Sequence, residues 1–248
     1  MRNYLSFGGG VNSVALYLYL LDNNISFEAV FVDHGTDWPE TYDYVKIFKE
    51  KYSLTVIKPD IQGFNNLYEY CWHRKWVPTF MRRWCTDKFK IRPIYRHCKS
   101  PAFMMVGLDF YEQKRAKISR NKGFENRYPL IEAIIDRNGC KDIIRSHNLP
   151  VPIKSGCFIC PYQKTYQWKE LRRNHPGLFY KAVELEKRNM VYRKTQGKNP
   201  LFLSQSPKAS LQSIVDENQR KLFKRDEYPP YITASNKSLK AETKDVSV

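Results

Sequence analysis

The sequence predicts an α/β fold, an open and mostly parallel twisted sheet with flanking helices, followed by a C-terminal mainly helical segment. Three observations carry that expectation. Short apolar runs alternate with amphipathic helical stretches as far as Val106, a glycine-rich turn joins the first run to the first helix, and beyond residue 165 only a basic, helical pattern remains. A length of 248 residues suits one α/β domain with an appended segment.

Tyr4 to Phe7 reads as a strand and Gly8 to Gly10 as a turn, and Ser13 to Leu21 reads as a helix with Val14, Leu16, Leu18, Leu20 and Leu21 apolar. Phe27 to Val32 is the second strand. Thr41 to Lys51 is an amphipathic helix with Tyr44, Val45, Ile47 and Phe48 on its apolar side, and Leu54 to Ile57 is the third strand. This alternation indicates βαβ crossovers, whose ligands bind beyond the carboxyl ends of the strands. Residues 62–100 are rich in aromatics and Arg/Lys, with Phe89 to Arg96 read as a helix broken by Pro93. Phe103 to Val106 is the fourth strand, followed by Gly107 and a basic loop, Gln113 to Arg127. Tyr128 to Glu132 resumes ordered structure, Cys140 to His147 is a short helix ended before Pro150, and residues 161–228 are mainly helical. Ala234 to Val248 has few apolar side chains and reads as a flexible tail. The expected organisation is therefore 1–165, 166–232 as a basic helical extension, and 233–248 as the tail.

Lys and Arg number 42 against 25 Asp and Glu, a formal charge of +17. Such a field attracts polyanions, nucleic acid foremost, although a merely solvated basic surface has the same composition. With 42% hydrophobic residues, 11 Gly and 14 Pro, the chain is neither fibrous nor wholly disordered. No run of 18 apolar residues exists and no cleavable apolar region opens the chain, so a cytoplasmic protein with no membrane partner is expected. In that compartment Cys71, Cys85, Cys98, Cys140, Cys157 and Cys160 are expected to be reduced, metal-bound or catalytic.

The segment Ser6-Phe7-Gly8-Gly9-Gly10-Val11-Asn12-Ser13 lies where a strand turns into a helix. Glycines there let backbone N–H groups approach an anion, and the helix N-terminus adds partial positive charge, so phosphate is the expected occupant. The segment is neither a Walker A loop nor a G-x-G-x-x-G turn, and a plain tight turn also explains it. Together with Phe31-Val32-Asp33-His34-Gly35-Thr36-Asp37-Trp38-Pro39-Glu40-Thr41 it resembles the phosphoadenosine phosphosulfate reductase-like branch of the PP-loop superfamily, over about residues 4–165.

The resemblance implies a Rossmann-like PP-loop domain in which the loop grips the phosphates of ATP and the acid ending the second strand lies beside the ribose or adenine. Gly9, Gly10 and Ser13 match that loop, Gly8 replaces its first Ser, Val11 its Lys and Asn12 its Asp. Ser6, which opens the segment, joins Gly8, Gly9, Gly10, Asn12 and Ser13 as a nucleotide-binding candidate. Asp33 is the candidate ribose ligand, with a strand-end acid as the plainer reading. Asn12 is a poorer metal ligand than a carboxylate, so Mg²⁺ is expected to be held mostly by phosphate and water. Arg115 and Arg120 stand where the family carries arginines near the nucleotide.

The resemblance reaches the cysteines. Cys157-Phe-Ile-Cys160-Pro161 is a Cys-x-x-Cys, and Cys85 lies upstream in Trp84-Cys85-Thr86-Asp87. Similar cysteines hold a [4Fe–4S] cluster in the family's nucleic-acid thiolating members, which implies Cys85, Cys157 and Cys160 as ligands and Cys140 as the fourth. Structural zinc on the same four residues and a redox Cys-x-x-Cys are the alternatives. Cys71 and Cys98 read as ordinary buried thiols. With three thiolates bound, one iron would stay open to hydrosulfide or another sulfur donor.

Sulfonucleotide reductases of the family finish with a C-terminal cysteine, and none follows Cys160 here. The expectation is ATP-dependent sulfur transfer to a nucleic acid, DNA backbone or tRNA base, with Cys160, Arg115 and Asp33 as catalytic candidates and a sulfur donor protein or sulfide as partner. The basic stretches Lys114 to Arg127 and Lys169 to Arg193, and Trp72, Trp76 and Trp84 among Arg74, Lys75, Arg82 and Arg83, would track phosphates and stack bases. A sulfonucleotide reductase using an external thiol and a non-catalytic zinc-containing nucleic-acid-binding module are the rival readings.

Overall fold

A computed structural model describes residues 1–153, 155–204 and 209–220. The expected tail at 233–248 and the end of the extension lie outside the described residues. Five parallel strands, β1 (Arg2–Ser6), β2 (Glu28–Val32), β3 (Thr55–Ile57), β4 (Ala102–Val106) and β5 (Phe124–Arg127), form one sheet in the order β3-β2-β1-β4-β5. The crossover helices include α1 (Val11–Asp22), α2 (Pro39–Lys51) and α3 (Leu67–Arg74).

Alternation along the strands distributes side chains to two covered faces. Leu5, Ala29, Phe31 and Met105 join a core with α1, α2 and α7 (Arg137–Ser146), to which Phe7, Val14, Leu18, Phe48 and Ile144 contribute. Tyr4, Val30, Val32, Ala102 and Met104 face the other way, onto Ile94 and Cys98 around α5 (Arg92–His97). The sequence pattern hides β5, whose Phe-Glu-Asn-Arg falls inside the expected basic loop, because an edge strand needs no apolar run. A 3₁₀ turn, Phe110–Arg115, overlaps the start of the same loop.

Pro93 does not break the helix expected over 89–96. α4 (Trp84–Thr86), a π-helical stretch (Asp87–Ile91) and α5 run on continuously, and Pro93 falls in the first turn of α5, where its missing N–H and preset φ are tolerated. The short α6 (Pro129–Glu132) and then α8 (Thr165–Asn174), α9 (Pro176–Thr195) and α10 (Leu211–Arg220) complete the described helices. The last three do not stand apart from the sheet domain. Trp168, Leu171, Phe179 and Leu185 share a core with Trp38, Leu67, Tyr70, Phe89 and Phe158.

β1 and β4 run level from Arg2↔Ala102 to Ser6↔Val106, so the loops after them emerge side by side. Gly107 makes that approach possible. A Cβ there would lie 2.9 Å from the backbone C and O of Asn12 and the Cα of Ser13. Gly107→Ala is expected to lower stability by about 1–3 kcal/mol through forced backbone movement, read as a shifted urea or thermal midpoint.

Candidate functional site

The crevice between the β1 and β4 loops lies where the strand order reverses, the usual ligand position in open α/β sheets. A cavity of about 620 Å³ opens there. Ser6, Gly8, Gly10, Asn12, Ser13 and Arg115 all line it. Gly9 adopts the left-handed conformation (φ +67°), which bends the loop onto the start of α1. The Gly8 N–H donates to Ser13 Oγ (3.2 Å), whose hydroxyl donates to the Gly10 carbonyl (3.0 Å), holding the loop closed on itself.

Asn12 is the polar centre of this cavity. Its Nδ2 donates to Asp109 Oδ2 (3.1 Å) and Glu112 Oε2 (2.8 Å), while its Oδ1 accepts from Arg137 (2.6 Å). Arg115 pairs with Glu112. Val11 brings no charge to the loop, so the cations at the cavity, Arg115 and Arg137, come from other segments. Arg137 and Glu112 escape sequence reasoning, since each lies at least 100 positions from Asn12 and carries no local motif. Arg120 is exposed on the loop before β5 and does not line the cavity. Asp33, half-buried at the end of β2, also lies outside its lining; it accepts hydrogen bonds from the Gly35 N–H and the Tyr42 hydroxyl, both 3.0 Å.

The Cys-x-x-Cys loop is stitched to the β2–α2 loop. An antiparallel bridge joins Asp37 to Cys157, the Trp38 N–H donates to Gly156 O (3.0 Å), and the Phe158 N–H donates to Thr36 O (2.8 Å). Polar contacts continue inward from there. Cys157 Sγ donates to Thr36 Oγ1 (3.1 Å), which lies 2.7 Å from His34 Nδ1. On the other side of the ring His34 Nε2 is 3.2 Å from Asp37 Oδ2, outside hydrogen-bond alignment, and Asp37 Oδ1 is 3.7 Å from Lys90 Nζ. Burial pulls the His34 pKa down to about 4 against the pull of Asp37, so the ring is neutral at pH 7. Burial opposes the charge on Lys90 as well, but Asp37 and then Cys157, Cys160 and Cys85 outweigh it and raise its pKa.

Cys85, Cys157 and Cys160 lie within electrostatic reach of one another and of Lys90. Burial first, and then Cys160, raises the Cys85 and Cys157 thiols. The fourth neighbour is Cys71. This fully buried thiol of α3 is raised well up by burial and then by Cys157 and Cys85. Cys140 is not brought to the group. It is a buried α7 residue in the core shared with α1, its pKa pushed up to about 12 by burial and then by Asp109. An amphipathic helix on the sheet needs a small apolar residue there, and Cys140 meets that need. Cys98 is an ordinary core thiol beside β4. Four thiols have the donor chemistry of an iron–sulfur or zinc site, yet among the described residues no group of three or more His, Cys, Asp or Glu is set to hold a metal ion.

Several expected nucleic-acid contacts have work within the fold. Arg188 donates to Trp72 O (3.0 Å) and lies 4.6 Å from that ring, and Arg172 pairs with Asp216 (3.1 Å). Among the described residues no helix is long and apolar enough to cross a membrane.

His34 gives the site a pH signature. Its folded pKa lies below the unfolded 6.5, so the unfolded chain binds the extra proton and stability falls as pH drops from 6.5 toward about 4. Urea unfolding across that window is expected to carry a slope of up to about 1.4 kcal/mol per pH unit from this residue, absent in His34→Gln.

A family model for the phosphoadenosine phosphosulfate reductase domain matches residues 2–131. Two uncharacterized proteins of Methanocaldococcus jannaschii are similar, one 28% identical over 206 residues and one 23% identical over 201, covering 75% and 71% of this chain. The chain spans 49% and 40% of their lengths, half or less of each. Among solved structures, a phosphoadenylyl-sulfate reductase from Candida auris in a phosphate complex is 16% identical, with a TM-score of 0.45 and coverage of 61% of this chain and 75% of that one. The FMN adenylyltransferase of Candida glabrata in complex with ATP is 15% identical, with a TM-score of 0.37 and coverage of 61% and 48%. Likenesses this distant carry no ligand position across. The family match runs from β1 to the residues just after β5 and includes the glycine loop, and on that ground the chain belongs to the phosphoadenosine phosphosulfate reductase domain family of the PP-loop superfamily.

Proposed function

We propose that the chain is an ATP-dependent enzyme that activates an oxygen of a nucleic acid, DNA backbone or tRNA base, as an adenylate and replaces that oxygen with sulfur. Members of the family are generally enzymes, and a nucleotide suits the fold. The supporting observation is the pairing of two sites beyond the carboxyl ends of the central strands: the cavity in the β1/β4 crevice, and the thiol group with Lys90, joined through the Asp37–Cys157 bridge to the loop after β2, the strand next to β1.

In this reading the ATP phosphates lie on the backbone N–H groups of Gly9 and Gly10 and on the start of α1, with Ser6, Gly8 and Ser13 beside them. Arg115 and Arg137 offset their charge, Asp33 holds the ribose, and Arg120 reaches the nucleotide only from its exposed loop. Asn12 is engaged by Asp109, Glu112 and Arg137, so Mg²⁺ travels mostly on phosphate oxygens and water. The substrate oxygen attacks the α-phosphorus, the bond to the β-phosphate bridge breaks, and pyrophosphate leaves. A sulfur nucleophile from sulfide or a donor protein then attacks the activated atom, and AMP departs with the former oxygen. Activation turns a poor leaving group into a good one, which is the use of ATP. Lys90 opposes the burial that raises the Cys85 thiol and is the cation nearest a sulfur donor held there. Those three thiolates, with Cys71 as the nearest further thiol, would hold a [4Fe–4S] cluster, which supplies an iron open to sulfide; zinc is the alternative occupant.

The test is anaerobic purification with iron, acid-labile sulfide and zinc analysis, followed by incubation with ATP and nucleic acid. About four irons with matching sulfide, AMP release, and sulfur incorporation lost in Cys160→Ala but with AMP release retained are the expected results. Zinc without sulfide and no AMP would overturn the reading, and sulfite release from a sulfonucleotide without ATP use would replace it.

A further inference from the structure

A second cavity, of about 820 Å³, adjoins the thiol group, since Trp84, the residue before Cys85, lines it. Its volume falls within the usual range for small-molecule sites of roughly 300–1,000 Å³. Much of its wall comes from residues 189–204, beyond the span the family model matches. Trp76 and Trp84 meet edge to face, with centroids 6.0 Å apart at 73°. Trp76 is 44% exposed and Phe80 53%, an unusual amount of aromatic surface to leave in water without a partner.

Polar groups give this cavity a direction. Arg82, Arg193 and Lys198 line it and among the described residues no carboxylate does, so its field favours an anion. Asn189 also lines it and is 2% exposed; its Nδ2 donates to Lys75 O (2.7 Å), while its Oδ1 is buried with no hydrogen-bond partner among the described residues. A buried acceptor without a partner is a penalty that a ligand N–H removes. Flat aromatic faces, one open acceptor and three cations describe a heterocycle carrying an N–H group and attached to phosphate.

We propose that this cavity receives an unpaired base from an RNA loop, stacked on Trp76 with Trp84 edge-on to it, donating an N–H to Asn189 Oδ1, with the flanking phosphates on Arg82, Arg193 and Lys198. RNA loops present splayed bases to aromatic and cationic side chains, whereas a DNA duplex must first unstack one. The inference rests on the nucleic-acid reading above and narrows it to RNA, with the substrate base held beside Cys85.

The full chain is titrated by fluorescence anisotropy against a labelled RNA hairpin with an unpaired loop, the same hairpin with abasic loop positions, a fully paired RNA duplex, and single-stranded DNA of the loop sequence. The hairpin is expected to bind tightest. Trp76→Ala is expected to weaken hairpin binding about five-fold or more, with little further loss on the abasic hairpin and recovery in Trp76→Phe. Equal affinity for hairpin, abasic hairpin and duplex in the unaltered protein would overturn the proposal whether or not the variants fold. Tighter binding of the DNA strand would overturn the assignment to RNA. Base-dependent binding without AMP release from ATP would leave this inference standing and remove the sulfur-transfer reading; AMP release with base-independent binding would do the reverse.

Discussion

The level parallel pairing of β1 with β4 is the constraint on which the nucleotide cavity depends. Because Ser6 sits opposite Val106, the glycine loop and the Gly107–Arg115 segment leave the sheet at the same height. Asn12 can then bond Asp109 and Glu112, and Arg115 can reach the cavity. A slip of one residue would turn Leu5 and Met105 away from their core and separate the loops. The fold and the cavity are thus specified by the same alternation of apolar side chains.

The thiol group depends on a different contact. Among the described residues, Cys157 is held toward β2 by the bridge to Asp37 and the two backbone hydrogen bonds beside it. Those bonds also place a neutral His34 and a charged Lys90 on either side of Asp37. The arrangement sets one cation, Lys90, between the Asp37 carboxylate and the thiols. Lys90 is part-exposed, its side chain 43% accessible, and Asp37 with the sulfurs favours its charged form.

Helices α8 to α10 hold the other side of this site. Glu186, 1% exposed, accepts hydrogen bonds from the Leu203 and Leu211 N–H groups, both 2.7 Å, which fastens the segment after α9 and the start of α10 to one buried carboxylate. Burial raises its pKa against those two bonds, as expected of an acid serving a packing role. The same core that buries Phe179 and Trp168 carries Phe158 and Tyr70, so the extension and the cysteine loops are supported together.

Local periodicity determined the strands β1 to β4, the helices α1 and α2, and the strand–glycine–helix turn, because each signal lies within a few residues and reports burial directly. That turn and the acid after β2 were also enough to identify the family, and Ser6, Gly8, Gly10, Asn12, Ser13 and Arg115 do line one cavity. Tertiary structure alone decided the rest. β5 carries no apolar run, Arg137 meets Asn12 from 125 residues away, and Cys71, rather than Cys140, is the thiol within electrostatic reach of Cys157 and Cys85. A cysteine's sequence neighbours say whether it is buried but not which other thiols it faces. That is set by how α3 packs on α9 and by which face of α7 meets α1, and both are properties of the assembled core.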